Sequence, residues 1–182
     1  MLNAECGMRN ERPGLPPPQF RIHHSAFTIP VAQRSGEAPK TVAKVRKAIR
    51  AVLRRHGVVR ARISVALVND TIMARLNRKH LEHNGATDVL SFDLHDAADE
   101  KTAIDGEIVM SVDMAVKQAR RRGHAVEAEL ALYAVHGTLH LLGYDDRRKA
   151  DAKRMHDMED EILSSIGFGA VYAKSTDQNA EW

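Results

Sequence analysis

The feature that most constrains this chain is a pair of histidines four residues apart, His136 and His140, in an apolar run that ends at Gly143. On an α-helix with about 3.6 residues per turn, this spacing places both imidazoles on one face, one turn apart. Two imidazoles so placed can bind one metal ion. Glycine accepts the left-handed conformation that ends helices, so we expect the helix to stop there. A side chain of the turn that follows, such as that of Asp146, could then supply a third ligand.

The neighbours of the two histidines favour a metal site. They are apolar, which indicates a helix packed inside the protein: Leu132, Val135, Leu139 and Leu142. Burying two imidazoles costs free energy unless each finds a partner, and a metal ion is one such partner. The alternative, two core histidines satisfied by protein groups, stays open because pairs with this spacing also arise by chance.

The spacing from His136 to Asp146 matches the metzincin pattern H-E-x-x-H-x-x-G-x-x-H, with two differences. Gly137 stands where the peptidase has the glutamate that takes a proton from water, and Asp146 stands where it has the third histidine. Because glycine cannot act as a base, the sequence indicates a metal hydrolase that is not a peptidase of the usual kind.

Composition sets the class of protein. A chain of 182 residues is long enough for one domain with a substantial core. The sequence has no apolar run of about 18 residues and no apolar region of a secretory signal at its start, so we expect neither a membrane span nor secretion. The only cysteine is Cys6, which excludes internal disulfides and fits a reducing cytoplasm. The net charge is +3.

The pattern along the chain predicts three segments. Residues 1–19 are rich in proline and form a disordered extension, residues 20–167 form a single metal-dependent hydrolase domain, and residues 168–182 form a flexible tail.

Within the domain, strands are predicted at 20–29, 62–69, 89–94 and 107–112, and helices at 41–56, 70–78, 114–122, 126–142 and 147–166. Loops are predicted at 35–40, 80–86 and 95–105, and Asp113 is predicted to cap the third helix. Alternating strands and helices indicate a sheet with helices packed on it.

Three segments together resemble the YbeY family: HGTLHLLGYD at 136–145, TDVLSF at 87–92 and GEIVMSVD at 106–113. Four residues also fall where that family has its last helix: Met155, Glu159, Ile162 and Leu163. The resemblance covers about residues 63–167. It implies an α+β fold, with a small mixed β-sheet packed with helices and a zincin-like metal helix. It also implies a cytoplasmic, single-strand-specific, metal-dependent endoribonuclease in rRNA maturation and ribosome quality control. The implied partners are rRNA, the small ribosomal subunit, one of its proteins and the GTPase Era.

The chain departs from that family at the presumed third ligand. Members usually read Gly-Tyr-Asp-His at the turn, whereas this chain has Asp146 in the last position. Zinc accepts an aspartate oxygen at about 2.0–2.2 Å, and the harder ligand widens the choice toward Mn²⁺ or Mg²⁺. The alternative is that Asp146 only caps the last helix, because aspartate is a favoured cap residue. Asp145 is the neighbour that could instead cap the helix or support a metal ligand without binding the ion itself.

A second departure precedes residue 87, where Leu81 occupies the position of an arginine that the family needs for RNA cleavage. Arg78 and Lys79 are nearby cations that could contact phosphate, as could His80 and His83. Further basic residues follow the metal turn, with Arg147 and Arg148 the nearest to it. The first long helix has a basic face of its own: Lys44, Arg46, Lys47, Arg50, Arg54 and Arg55. Several basic faces favour a polyanionic partner, although such runs are often only solvated surface.

The residues themselves predict a metal hydrolase near a basic surface, in which His136, His140 and Asp146 hold one Zn²⁺ per chain, with Mn²⁺ or Mg²⁺ as other candidates. The resemblance implies that this hydrolase is a zinc-dependent endoribonuclease. Four side chains are predicted to contact RNA: Arg78, Lys79, Arg147 and Arg148. We assign no catalytic side chain beyond the metal site. The alternative is a non-catalytic ribosome-assembly factor with a structural metal, which Leu81 favours. A metallopeptidase is disfavoured by Gly137.

Overall fold

In a computed structural model of the chain, the described residues are 26–33, 39–81, 87–94 and 103–171. They form five strands and five helices. In chain order these are β1 (Ala26–Thr28), β2 (Val31–Gln33), α1 (Pro39–Arg55), β3 (Arg60–Val68), α2 (Asp70–Leu81), β4 (Val89–Asp93), β5 (Ala103–Ser111), α3 (Val112–Arg122), α4 (Val126–Leu141) and α5 (Lys149–Ser165).

The sheet is small and mixed, with β3 at its centre. Along one edge β3 pairs in parallel with β5, from Arg60 opposite Ala103 to Val68 opposite Ser111. Along its other edge it pairs in parallel with β1 and β2. β4 runs antiparallel to β5 and gives the order β1-β3-β5-β4. The predicted α+β fold with a mixed sheet is confirmed.

The main core lies between one face of the sheet and helices α1, α4 and α5. Alternate residues of β3 point into it, because side chains of a strand alternate between faces: Ala61, Ile63, Val65 and Leu67. α1, which was predicted at 41–56, contributes a stripe with helical spacing: Val45, Ile49, Val52 and Leu53. Burial of this apolar surface stabilises the fold by roughly 25 cal/mol per Å² and fixes α4 against the sheet.

A second, smaller cluster of apolar side chains joins α2 to the sheet. Its buried members are Val68, Met73, Leu90 and Val109. Val109 alternates along β5 with Ile108 and Met110, which belong to the main core. Because neighbouring residues of a strand face opposite sides, α2 lies on the face of the sheet away from α4.

Several predicted boundaries move in the structure. β2 was not predicted, and α2 continues to Leu81, into the predicted loop. β5 begins at Ala103, inside the other predicted loop, because that stretch pairs with β3 and because Arg62 forms an ion pair with Asp105 across the two strands. The remaining residues of both loops lie outside the described ranges.

The cap of α3 is Ser111 and not Asp113, so that prediction was wrong. The Ser111 hydroxyl accepts a hydrogen bond from the amide of Met114 at 3.0 Å and donates one to Asp70 at 2.5 Å. Asp113 lies in the first turn of α3, where its carboxylate accepts the amide N–H of Asp70 at 2.9 Å. The starts of α2 and α3 are therefore tied together through polar groups.

The packed part of the chain extends beyond residue 167. Phe168 packs against the main core and Val171 is buried in it, although both fall in the predicted tail. Residues 172–182, the predicted extension at 1–19 and the start of the first predicted strand lie outside the described ranges. The disordered extension at 1–19 and the flexible tail over 172–182 therefore stay predictions. Among the described helices, none combines the length and apolar character needed to cross a membrane.

Candidate metal centre

Helix α4 carries the two histidines through the inside of the protein. Most of its residues are buried, from Ala128 to Leu141, which is the pattern of a helix surrounded by other elements. It ends where Gly143 takes the left-handed conformation at φ 88°. The amides of Gly143 and Tyr144 then donate to the carbonyls of His140 and Leu139 at 2.9 and 3.0 Å. These bonds satisfy the last carbonyls of the helix and turn the chain back toward the histidines.

Three ligand atoms converge at this turn. The Nε2 atoms of His136 and His140 are 2.9 Å apart. Oδ2 of Asp146 lies 3.7 Å from the first and 3.9 Å from the second. These three residues form a group whose ligand atoms all lie within 4.8 Å of one another. The histidines are half-buried, while the Asp146 side chain is 38% exposed. The structure thus brings together the three residues that the sequence singled out.

The remaining ring nitrogens orient both imidazoles. His136 Nδ1 donates to Oε1 of Glu159 at 2.7 Å, and His140 Nδ1 donates to the carbonyl of Tyr144 at 2.9 Å. With one proton on each Nδ1, the two rings in their neutral forms would face each other through unprotonated Nε2 atoms. Two such acceptors cannot bond one another, and a shared cation removes their repulsion.

The donor set fits a divalent ion. With bonds of about 2.0–2.2 Å, tetrahedral zinc holds its ligand atoms roughly 3.3–3.6 Å apart. The three separations in the structure, 2.9, 3.7 and 3.9 Å, bracket that range. Two imidazoles and one carboxylate are also the ligand set of known catalytic zinc sites that leave one position open.

Glu159 stabilises positive charge at the centre. Burial lowers the pKa of His136, but the hydrogen bond and the negative charge of Glu159 outweigh this and raise that pKa above its usual value. A carboxylate behind a histidine ligand fixes the ring and makes its other nitrogen a better donor to a metal. Glu159 therefore supports the centre from α5 although it does not belong to the converging group.

The alternative role of Asp146 as a helix cap was wrong. α5 begins after Arg148, which is its N-cap residue and provides no side-chain cap bond. Asp145, the other acid of the turn, accepts the amide N–H of Arg147 at 3.1 Å, and this backbone bond lowers its pKa. The two neighbouring acids thus have separate positions, and Asp146 is the one at the histidines.

The centre opens into a cavity of about 860 Å³. His136 and Asp146 line it together with several ionisable side chains: Asp88, Arg122, Arg147, Lys149, Lys153, His156, Asp157, Glu159 and Asp160. Of the four predicted RNA contacts, only Arg147 lines this cavity, and Arg148 is exposed one residue before α5. Arg78 and Lys79 lie on α2 and line a separate groove of about 490 Å³.

Comparison with known families shows which family the chain belongs to. The model of the family described as endoribonuclease YbeY matches residues 30–167. The chain belongs to this family.

Two relatives and one solved structure give the extent of the similarity. The chain is 37% identical to the endoribonuclease YbeY of Myxococcus xanthus over 157 residues, which are 84% of this chain and 52% of that protein. It is 43% identical to that of Desulfitobacterium hafniense over 114 residues, 59% of this chain and 73% of that protein. The chain thus spans about half the length of the first relative. The solution structure of TM1509 from Thermotoga maritima has a TM-score of 0.53 at 20% identity, covering 85% of this chain and 97% of that one. That likeness shows the fold alone.

The packing of α4 against the sheet explains the glycine between the histidines. A Cβ atom at Gly137 would lie 2.8 Å from Ser91 Oγ and 3.0 Å from Ile108 Cγ2. Position 137 therefore faces the sheet, where α4 lies directly against β4 and β5, and not the cavity. The interpretation of Gly137 as the absence of a peptidase base stays a prediction, and the close contact gives a second, structural reason for a glycine at this position. The zincin-like character of the helix stays a prediction.

Sequence reasoning gave no role to two buried carboxylates. Glu159 is 1% exposed and was noted only as a position of the family pattern, although it lies four residues after Met155 on the inner face of α5. Glu129 is completely buried in α4 and pairs with Arg122 at 2.9 Å. An acid at a core-facing helical position was the available signal, since such an acid needs a partner.

Several cations on the basic face of α1 also bind oxygens of the protein. Four of its six cations bind oxygens of the protein: Lys44 with Glu127, Arg46 with the carbonyl of Ile29, Lys47 with that of Ile166, and Arg55 with Glu161. These side chains tie α1 to neighbouring segments. The prediction that they form an RNA-binding face stays a prediction.

Proposed function

We propose that this chain is a metal-dependent endoribonuclease in which His136, His140 and Asp146 hold one divalent ion. The observation that carries the proposal is the convergence of these three ligand atoms within 4.8 Å at a cavity with basic side chains. The family description names the same activity for its members. Zinc is the first candidate for the ion, and the carboxylate ligand also suits Mn²⁺.

The residues of the cavity have separable tasks in this proposal. When bound, a divalent ion polarises a phosphoryl oxygen and makes a nucleophile available from water at neutral pH. Arg147, Lys149 and Lys153 supply positive charge that binds the RNA backbone. Glu159 keeps the His136 ring in place by accepting its Nδ1 proton. Among the described residues that line the cavity, Tyr133 is the only Phe, Tyr or Trp, so recognition of individual bases is not part of the proposal.

Cleavage of labelled single-stranded RNA by zinc-loaded protein tests the proposal. His136→Ala removes one ligand, and the reactions are run at protein concentrations that give equal RNA occupancy. We expect cleavage by the wild type and its loss in the variant. Equal cleavage by both proteins would show that the nuclease activity does not depend on this centre.

We further propose rRNA as the substrate, single-strand specificity, and a cytoplasmic role in rRNA maturation and ribosome quality control. The family resemblance supports these details, as it does contacts with a small-subunit protein and with the GTPase Era. Cleavage of a small-subunit rRNA fragment, compared with its fully paired duplex, tests the substrate class. Co-purification with small ribosomal subunits tests the partners.

The second candidate is an RNA-binding assembly factor with a structural metal. The observation in its favour is Leu81, which replaces the arginine that the resemblance links to RNA cleavage. The same assay separates the two candidates. An assembly factor binds the RNA without cutting it, and its unfolding midpoint rises with zinc because the ion stabilises the folded state.

A further inference from the structure

The two histidines of the centre are supported in different ways. His136 is held by a buried side chain on a helix, whereas His140 donates to the main-chain carbonyl of Tyr144, in the turn after α4. A backbone carbonyl can orient a ring only if the turn that carries it is itself fixed. The capping bonds of α4 end at the amide of Tyr144, and α5 begins only at Lys149. The turn therefore needs another support.

The side chain of Tyr144 gives this support. Its ring packs against the main core and meets the ring of His56 edge to face, with centroids 5.5 Å apart and an angle of 86°. Its hydroxyl lies 2.9 Å from Nε2 of His56. The same residue thus contacts His140 with its carbonyl and α1 with its hydroxyl.

His56 is held so that it can accept this hydroxyl. It follows the last residue of α1, and its Nδ1 lies 2.9 Å from the carbonyl of Val52. A carbonyl can only accept, so Nδ1 carries a proton, and in this tautomer Nε2 can accept the hydroxyl proton of Tyr144. Val52 is buried in the core between α1 and α4, which makes it a rigid reference point.

We propose that His56 is a positioning residue for the metal centre: through Tyr144 it holds the carbonyl that orients His140 and the turn that presents Asp146. The chain of bonds runs from Val52 through His56 and Tyr144 to His140. This inference rests on the proposed metal site. It assigns to α1 a task that neither the metal-ligand spacing nor the family motifs contain, because His56 is 80 residues before the first ligand.

Zinc affinity, measured by chelator competition, tests the inference with two variants that delete the same bond. His56→Phe keeps an aromatic ring without an acceptor, and Tyr144→Phe removes only the hydroxyl. Loss of a group that supports a ligand directly costs about 10–100-fold in metal affinity, so one further step away we expect about three- to tenfold in each variant. The double variant should lose no more than one single variant does. His56→Gln, which retains an acceptor, should recover part of the affinity.

A second measurement separates positioning from general stability. Cobalt replaces zinc as a probe whose visible spectrum depends on ligand geometry, and both variants should change that spectrum. Ser165→Ala is the matched control, because it removes another hydroxyl that bonds a helix end, at 2.6 Å to the carbonyl of Ile162. It should leave the zinc affinity and the cobalt spectrum unchanged. If His56→Phe does not fold, the result for Tyr144→Phe alone tests the inference.

Two results would overturn the inference. One is wild-type zinc affinity and an unchanged cobalt spectrum in folded His56→Phe or Tyr144→Phe. The other is a double variant whose losses multiply, which would mean that the two residues act separately. His140→Ala distinguishes these failures from failure of the site itself: if it loses zinc, only the inference is overturned, and if it retains zinc fully, the proposed metal site falls with it.

Discussion

The carboxylate of Glu159 lies 2.7 Å from Nδ1 of His136 although the Glu159 side chain is 1% exposed. A buried carboxylate needs a positively charged or donating partner, and His136 is the donor that the structure provides. The contact joins α5 to α4 behind the proposed metal site. It therefore couples the packing of the last helix to the orientation of a ligand.

Glu159→Gln should reduce zinc affinity about 10–100-fold, the range for groups that support a metal ligand. The amide is almost the same size and can still accept the Nδ1 proton, but it lacks the negative charge that favours a cation on His136. Chelator competition measures the effect. Glu161→Gln on the exposed side of the same helix is the control. Equal affinity in Glu159→Gln and wild type would show that the contact serves packing only.

Gly137→Glu, which restores the peptidase pattern, should destabilise the protein by about 3 kcal/mol or more, because the side chain would enter the packed and apolar contact with the sheet. It should create no peptidase activity. Urea denaturation gives the change in the free energy of unfolding. Gly123→Ala is the comparison, because a Cβ at Gly123 would lie in open space. Only the positive φ opposes that substitution, which should lower the free energy of unfolding by about 1 kcal/mol. Similar small losses in both would contradict the close helix–sheet contact.

Much of the fold could be predicted from periodicity and helix signals. The apolar stripe of Val45, Ile49, Val52 and Leu53 is readable from the sequence and locates α1. Gly57 and Gly123, each directly after a predicted helix, take positive φ in the structure. Boundaries that depend on tertiary contacts could not be predicted. β5 starts at Ala103 because β3 lies beside it, and Ser111 caps α3 because Asp70 is brought to it from another element.

The candidate site was likewise only partly predictable from the sequence. The spacing of His136, His140 and Asp146 was readable from the sequence because one helix and its turn hold all three. Glu159 and His56 come from other helices, and only the tertiary fold shows that they reach His136 and Tyr144. The sequence also could not show that Gly137 faces the sheet, since that depends on how α4 is rotated against β4.

Arg122→Met should lower stability by about 3–5 kcal/mol, since it leaves a completely buried carboxylate without its main cation. Burial already raises the pKa of Glu129 despite the opposing effect of Arg122 and His124. Adding Glu129→Leu should recover most of the loss, because the unpaired charge is then absent. Urea denaturation of the two singles and the double gives the coupling energy. A double variant as unstable as Arg122→Met would contradict this account.

RNA affinity should fall linearly on a log–log salt plot, because bound phosphates release counterions. For single strands each neutralised phosphate contributes about 0.7 to the slope, so Arg147→Ala with Lys149→Ala should reduce it by about 1.4. Arg78→Ala with Lys79→Ala removes equal charge from the separate groove on α2. We expect that pair to leave the slope unchanged. The reverse result would place RNA on α2 and not at the cavity.

The last prediction concerns Asp146, where this chain departs from the usual family turn. If its carboxylate is the third ligand, Asp146→Ala leaves two protein ligands where zinc sites have three or four, and zinc affinity should fall at least about a hundredfold. Asp146→His should retain the metal through a third imidazole. Asp146→Asn should bind zinc weakly, because a neutral amide oxygen replaces the anionic one.

Asp145→Ala is the matched control one residue away. The Asp145 carboxylate accepts from the amide of Arg147, so this variant should bind zinc as the wild type does. Wild-type affinity in both Asp146→Ala and Asp146→Asn would remove Asp146 from the site and leave Asp145 or a water as the third ligand.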